Sequence, residues 1–148
     1  MSKIVGYMVT WTTYGTWLPG DERGYVANGQ TLSGDVKKLE KNKKRQKSPT
    51  VKLNKSEKTL IQRVIQDEAE RIGHEIMALA VCTNHVHLAA RSHSESIEEM
   101  VGRYKSLTTR ALWERGRKGR IWTQGYDKRF CFTEEELIQK IKYINKHD

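Results

Sequence analysis

Residues 74–91 read HEIMALAVC (74–82), then Thr83-Asn84, then HVHLAAR (85–91). Two apolar runs parted by a two-residue polar break are the pattern of a β-hairpin. Along the second run the side chains must alternate, because successive strand residues point to opposite faces. Val86 and Leu88 then face the core, and His85 and His87 stand together on the other side.

The neighbouring segments extend this unit in both directions. Asn54 and Glu57 form an N-x-x-E capping box, and Leu60, Ile61, Val64, Ile65, Ala69 and Ile72 recur at helical spacing. A helix is therefore expected over 55–72, ended by Gly73. Further back, IVGYMVTWTT (4–13) is rich in β-branched and aromatic residues and reads as a first strand, followed by a turn-rich stretch punctuated by Gly and Pro. On the other side, Ser96 and Glu99 form a second capping box, and Ile97, Val101, Tyr104, Leu107, Thr108 and Ala111 line one helix face. After the basic turn ERGRKGR (114–120), a last strand is expected over Asp127–Phe132, and Thr133 with Glu136 caps a final helix. Strand, helix, strand, strand, helix, strand, helix is the ferredoxin-like βαββαβ order with one helix added. The fold class expected is α+β: an antiparallel sheet with helices on one face, plus a C-terminal helix, in one domain spanning 1–148.

The composition agrees with one core: 148 residues, 36% hydrophobic and 30% charged. No apolar run is long enough to span a bilayer, and the opening MSKIVGYMVTW lacks a secretory hydrophobic region, so the expected location is the cytoplasm. Cys82 and Cys131 are too few for a disulfide scaffold and read as reduced thiols. The net charge of +9 is concentrated: residues 37–55 hold nine Lys/Arg and one Glu, leaving the rest close to neutral. That segment reads as a lysine-rich loop insert, suited to a phosphate backbone or simply to solvent.

Two imidazoles side by side on a strand suit a divalent metal, although a two-residue match recurs by chance. The final helix holds Tyr143 and His147 four residues apart, hence on one face, beside a buried stripe of Leu137, Ile141 and Ile144. Three histidines with substrate oxygen and water would suit Mg²⁺, Mn²⁺ or another divalent ion. Spacing alone favours reading Tyr143 as an amphipathic boundary residue and His147 as a frayed terminal one.

CTNHVHL (82–88), followed by IKYINKH (141–147), resembles the single-tyrosine HUH transposases of bacterial insertion sequences and their relatives, the REP-associated tyrosine transposases. HUH denotes His, hydrophobic, His, with Val86 in the middle place. The opening TWTTYGTWLPG and the stretch WTQGYDKRF (122–130) are also similar, so the resemblance covers most of the chain outside the insert. In that family the motif histidines bind a divalent metal, a tyrosine on the last helix is the nucleophile, and a polar residue one turn later, often Gln or Asn, completes the metal site. The resemblance implies metal ligands His85, His87 and His147 with Mg²⁺ or Mn²⁺, and Tyr143 as nucleophile. Histidine at 147 departs from the commoner amide, and the sequence stops at Asp148 where members often continue. The reaction implied is cleavage and rejoining of single-stranded DNA, typically containing a hairpin, through a 5′-phosphotyrosine and a free 3′-hydroxyl. Members act as dimers or as monomers.

Tyr104 is the rival nucleophile, also on a helix after the motif, but its apolar neighbours place it in the core; Tyr126 lies in a loop. The candidate nucleic-acid contacts are Lys43, Lys44, Arg45 and Lys47 in the insert, then Arg103, Lys105, Arg110 and Arg129. Trp122 and Tyr126, with Tyr14 and Trp17, are candidate stacking platforms, whereas Trp11 is expected in the core. Three other functions remain open: a DNA-hairpin-binding relative that no longer cuts, another HUH enzyme such as a rolling-circle initiator or relaxase, and a basic RNA-binding domain of the same fold. The last would need aromatics exposed on the sheet.

Overall fold

In a computed structural model of the chain, the described residues are 3–16 and 50–147. Lys43, Lys44, Arg45, Lys47 and Trp17 lie outside them, as does the insert from 37 to 49. The elements are β1 (Gly6–Thr12), α1 (Lys55–Ile72), β2 (Ile76–Val81), β3 (His85–Arg91), α2 (Ile97–Glu114), β4 (Asp127–Cys131) and α3 (Glu134–Asn145). The four strands form one sheet in the order β2-β3-β1-β4, every neighbouring pair antiparallel. This is the expected ferredoxin-like α+β arrangement.

Local chemistry sets the helix ends. Asn54 Oδ1 accepts from the Glu57 amide and Glu57 answers to the Asn54 amide, a complete capping box at α1. Gly73 closes that helix with a left-handed φ of 73°, a conformation that costs glycine least. Ser96 and Thr133 cap α2 and α3 by accepting from the amides of Glu99 and Glu136. The buried stripe of α2 is Met100, Val101, Tyr104, Thr108 and Leu112; Leu107 and Ala111, expected there, are only half-buried. Residues 50–54 do not belong to a surface loop either. Val51 and Leu53 are buried, and their amides bond to the carbonyls of Tyr14 and Thr83.

The sheet separates two apolar layers. On one face Tyr7, Val9, Trp11, Val86, Leu88 and Ala90 pack with Ile61, Ile65 and Ala69 of α1 and Met100, Val101, Tyr104 and Leu112 of α2. On the other face α3 buries Leu137 and Ile144 against Met8, Ala78, Ala80, Ala89 and Cys131. Each of those two side chains contributes roughly 1.5–3 kcal/mol to docking the helix. The alanines of this floor and Gly6 let α3 lie close to the strands. A Cβ on Gly6 would stand 2.6 Å from the Ala90 carbonyl and 3.1 Å from Leu137 Cδ1. This close docking brings the end of α3 to the histidines of β3.

Candidate active site

Strand alternation places His85 and His87 on the α3 face, with Val86 and Leu88 beneath them in the main core. The ring centroids of His85 and His87 are 4.6 Å apart. Burying Leu137 and Ile144 orients α3 so that Tyr143 and His147 reach the same place. Tyr143 lies 5.5 Å from His87, and His147 lies 4.8 Å from His87, 6.3 Å from His85 and 4.5 Å from Tyr143. Tyr143 remains 46% exposed, so an incoming substrate can reach it.

Each imidazole is held through Nδ1. His85 Nδ1 pairs with Asn84 Oδ1 at 2.8 Å, His87 Nδ1 with Thr10 Oγ1 at 2.7 Å, and His147 Nδ1 with the Tyr143 carbonyl at 2.8 Å. Asn84 Oδ1 and the Tyr143 carbonyl only accept, so His85 and His147 donate from Nδ1 and leave the Nε2 lone pair for a ligand, the usual arrangement of metal-binding histidines; His87 does the same in the tautomer that donates to Thr10. The final turn is tied to the residue that follows β2: Cys82 Sγ donates to the His147 carbonyl at 3.7 Å.

Burial pushes His87 down to about 4, helped by neighbouring His85 and His147 and opposed by the charge of Asp127. Burial and His147 likewise lower His85. Both rings are thus neutral near pH 7, the form that binds a metal. His85, His87 and His147 bring three imidazoles together, ligands of the type that suits a divalent cation whose remaining positions are filled by oxygen. Among the described residues no three His, Cys, Asp or Glu side chains are placed so that they could hold a metal ion together.

Thr10, Asn84 and Asp127 join this site without a sequence motif to announce them. Asn84 is the hairpin residue next to His85. Thr10 faces His87 across the β1–β3 pair and Asp127 across the β1–β4 pair, so Asp127, Thr10 and His87 lie in one row. Alternation along β1 places Thr10 opposite Trp11, but only the register reveals its partner, 77 positions away.

Other candidates lie elsewhere. Tyr104 is buried on the opposite face, its hydroxyl 2.6 Å from His74 Nδ1. Trp122 is also buried; it packs edge-on against Trp11 and donates from Nε1 to Thr108, so it is a core residue and no stacking platform. Trp11 is fully buried, as expected. Arg103 is shared between Glu68 and Glu95, and Arg129 pairs with Asp127. Tyr126 is half-buried against the main core. Lys105 and Arg110 lie on α2, away from the histidine cluster. Tyr14 carries the Arg120 guanidinium over its ring at 5.2 Å. Cys131 is a buried free thiol, and no helix among the described residues is long and apolar enough to cross a membrane.

Comparison with known proteins gives an independent measure. The family described as "Transposase IS200 like" matches residues 42–147. No curated protein matches the sequence. Among solved structures, the REP-associated tyrosine transposase bound to a REP hairpin superposes with a TM-score of 0.60 at 12% identity, covering 96% of this chain. The chain spans 65% of the length of that protein. A protein from Deinococcus radiodurans R1 named as a candidate transposase superposes with a TM-score of 0.50 at 17% identity, over 99% of this chain and 93% of its own. Identities this low establish a shared fold.

Proposed function

The chain belongs to the IS200-like transposase family, and from that premise we propose that it cuts and rejoins single-stranded DNA through a covalent bond to Tyr143. The observation that carries this reading is the meeting of His85, His87, Tyr143 and His147 from two distant elements, every imidazole held at Nδ1.

In the proposed step Tyr143 Oη attacks a backbone phosphorus and the P–O3′ bond breaks. The electron pair leaves on the 3′-oxygen, which takes up a proton, while the phenol proton passes to solvent. The products are a 5′-phosphotyrosine and a free 3′-hydroxyl. A DNA 3′-hydroxyl reverses the step without ATP because the ester keeps the bond energy of the original linkage. His85, His87 and His147 would hold Mg²⁺ or Mn²⁺, which when bound neutralises charge on the phosphate oxygens. Asn84 and Thr10 keep the β3 rings turned toward that position. Tyr143 needs no large movement, being exposed on a helix docked by two buried side chains. The likeness to a structure holding a REP hairpin supports folded single-stranded DNA as the substrate.

The test is a covalent-adduct assay. Labelled hairpin DNA from the sequence flanking the gene is incubated with the protein and Mn²⁺ or Mg²⁺, then run on a denaturing gel. A shifted band is expected that disappears with chelator and in Tyr143→Phe. Tight hairpin binding without an adduct would instead make the protein a DNA-binding module, and an adduct lost only in Tyr104→Phe would move the nucleophile.

A further inference from the structure

Beside α2 the structure holds an open cleft of about 550 Å³, with buried Ile121 and Trp122 in its lining. Lys105, Arg110 and Arg120 line it as well. None of the three has a carboxylate partner among the described residues, whereas Arg71, Arg91, Arg103, Arg117 and Arg129 each engage one. Lys105 Nζ donates to the carbonyls of Thr123 at 2.9 Å and Gly125 at 2.6 Å, which fixes the cleft wall. Arg110 donates to Ser106 Oγ at 3.1 Å, and Arg120 lies over the Tyr14 ring. Burial and Arg120 bring Lys105 down to about 8, so the cleft holds clustered positive charge that an anion would relieve.

The fourth element is aromatic. Trp113 also lines the cleft and is 49% exposed, while its Nε1 donates to the Gly119 carbonyl at 2.8 Å. An indole ring fixed at one edge and open on its surface is a platform for a planar group.

The cleft also adjoins the end of the sheet that carries His85. Trp122 bridges to Thr13, and the Thr123 amide bonds to the Thr12 carbonyl at 2.9 Å. Thr12 is itself the register partner of His85. The backbones of Thr123 and His85 are therefore about two strand spacings apart, ~10 Å, with the cleft on the α2 side of the sheet and the His85 ring on the α3 side.

We propose that this cleft binds one unpaired nucleotide of the DNA strand, its phosphate between Arg110 and Arg120 and its base on Trp113. The inference rests on the reading above that the chain handles single-stranded DNA. Cations supply affinity for the phosphate, and the indole accepts any base, so the site senses whether the strand is unpaired rather than its sequence.

The test uses the full chain carrying Tyr143→Phe, which prevents turnover, with two labelled probes: an unstructured oligothymidylate and a blunt hairpin without an unpaired tail. Binding is followed by fluorescence anisotropy across a salt series. Arg110→Ala with Arg120→Ala is expected to weaken the oligothymidylate at least 10-fold and to lower its salt slope by roughly 1, as loss of one or two phosphate contacts requires. Trp113→Ala should weaken it roughly 5- to 100-fold, as loss of one stacked base does, and Trp113→Phe should restore most of that. Blunt-hairpin binding should not change. Unchanged oligothymidylate affinity in these variants would overturn the cleft, as would an equal fall for both probes. If the protein without cleft substitutions binds neither probe, the DNA reading fails with it; if it binds both and only the cleft variants behave as wild type, that reading stands alone.

Discussion

The sheet carries a histidine–tyrosine cluster on each face, and the two are built to opposite ends. On the α1/α2 face, His74 is sandwiched by Tyr7 and Tyr104, each hydroxyl 2.6 Å from one ring nitrogen. All three side chains are buried. Burial pushes the Tyr7 phenol up to about 12, raises Tyr104 further, and brings His74 down to about 4. On the α3 face each imidazole is held at Nδ1, and Tyr143 stands half in solvent. The same residue types make a closed structural brace in one place and, in the proposed function, an open ligand set in the other. Among the described residues, what separates them is whether the second ring nitrogen and the phenol already have partners.

Exchanging the two tyrosines for phenylalanine breaks the comparison most directly. Tyr143→Phe should reduce adduct formation at least ~10³-fold, because the nucleophile is gone. Its melting temperature should stay within error, because an exposed hydroxyl contributes within about 0.5 kcal/mol. Tyr104→Phe should do the reverse, leaving adduct yield intact while costing about 1–2 kcal/mol as His74 loses a buried partner. Thermal melts and denaturing gels on the two variants decide the matter, and a Tyr104→Phe protein that is stable but inactive would invert the assignment.

The brace also makes a pH prediction. His74 is depressed from its ordinary 6.5 to about 4, by burial first and then by the nearby charge of His93, against the opposing charge of Glu95. The unfolded chain thus binds more protons than the folded one between those values. The stability contributed by this group is fully present above pH 6.5 and is lost as the pH falls toward 4, by roughly 3 kcal/mol in all. His87 is depressed into the same range, so the measurement is the difference between wild type and His74→Gln in chemical-denaturation curves from pH 7 to 4. The difference should shrink as the pH falls; a constant difference would mean that His74 is not held neutral.

How far each cluster was legible in the sequence follows from the range of the signals. The helix over 55–72 was readable because its stripe, its Asn54 cap and its Gly73 terminator are all local. So was the His85/His87 pair, which strand alternation fixes. Tyr143 and His147 announce themselves as an i, i+4 pair, but their meeting with β3 depends on the alanine floor under α3, which no local pattern encodes. The Tyr7–His74–Tyr104 brace joins three elements and leaves no motif, and His74 was read only as the start of a strand. Trp122 misled for the same reason: an aromatic in a loop-like stretch reads as exposed, and only the Thr13 bridge and the Trp11 contact bury it.

The smallest effect tests the finest part of the comparison, that the open site is turned outward by its Nδ1 partners. Thr10→Val keeps the shape of the side chain and removes the oxygen that meets His87 Nδ1. The ring is 7% exposed and has little water to turn to, so it loses the bond that sets its tautomer and orientation. Removing such a partner typically weakens a metal site about 10-fold or more, while the neutral hydrogen bond itself is worth about 1 kcal/mol of stability. Calorimetric titration with Mn²⁺ should therefore show affinity down about 10-fold in Thr10→Val and largely regained in Thr10→Ser. Affinity unchanged in Thr10→Val would mean that packing under α3 alone aims His87, and the contrast between the two clusters would then lie in exposure rather than in hydrogen bonding.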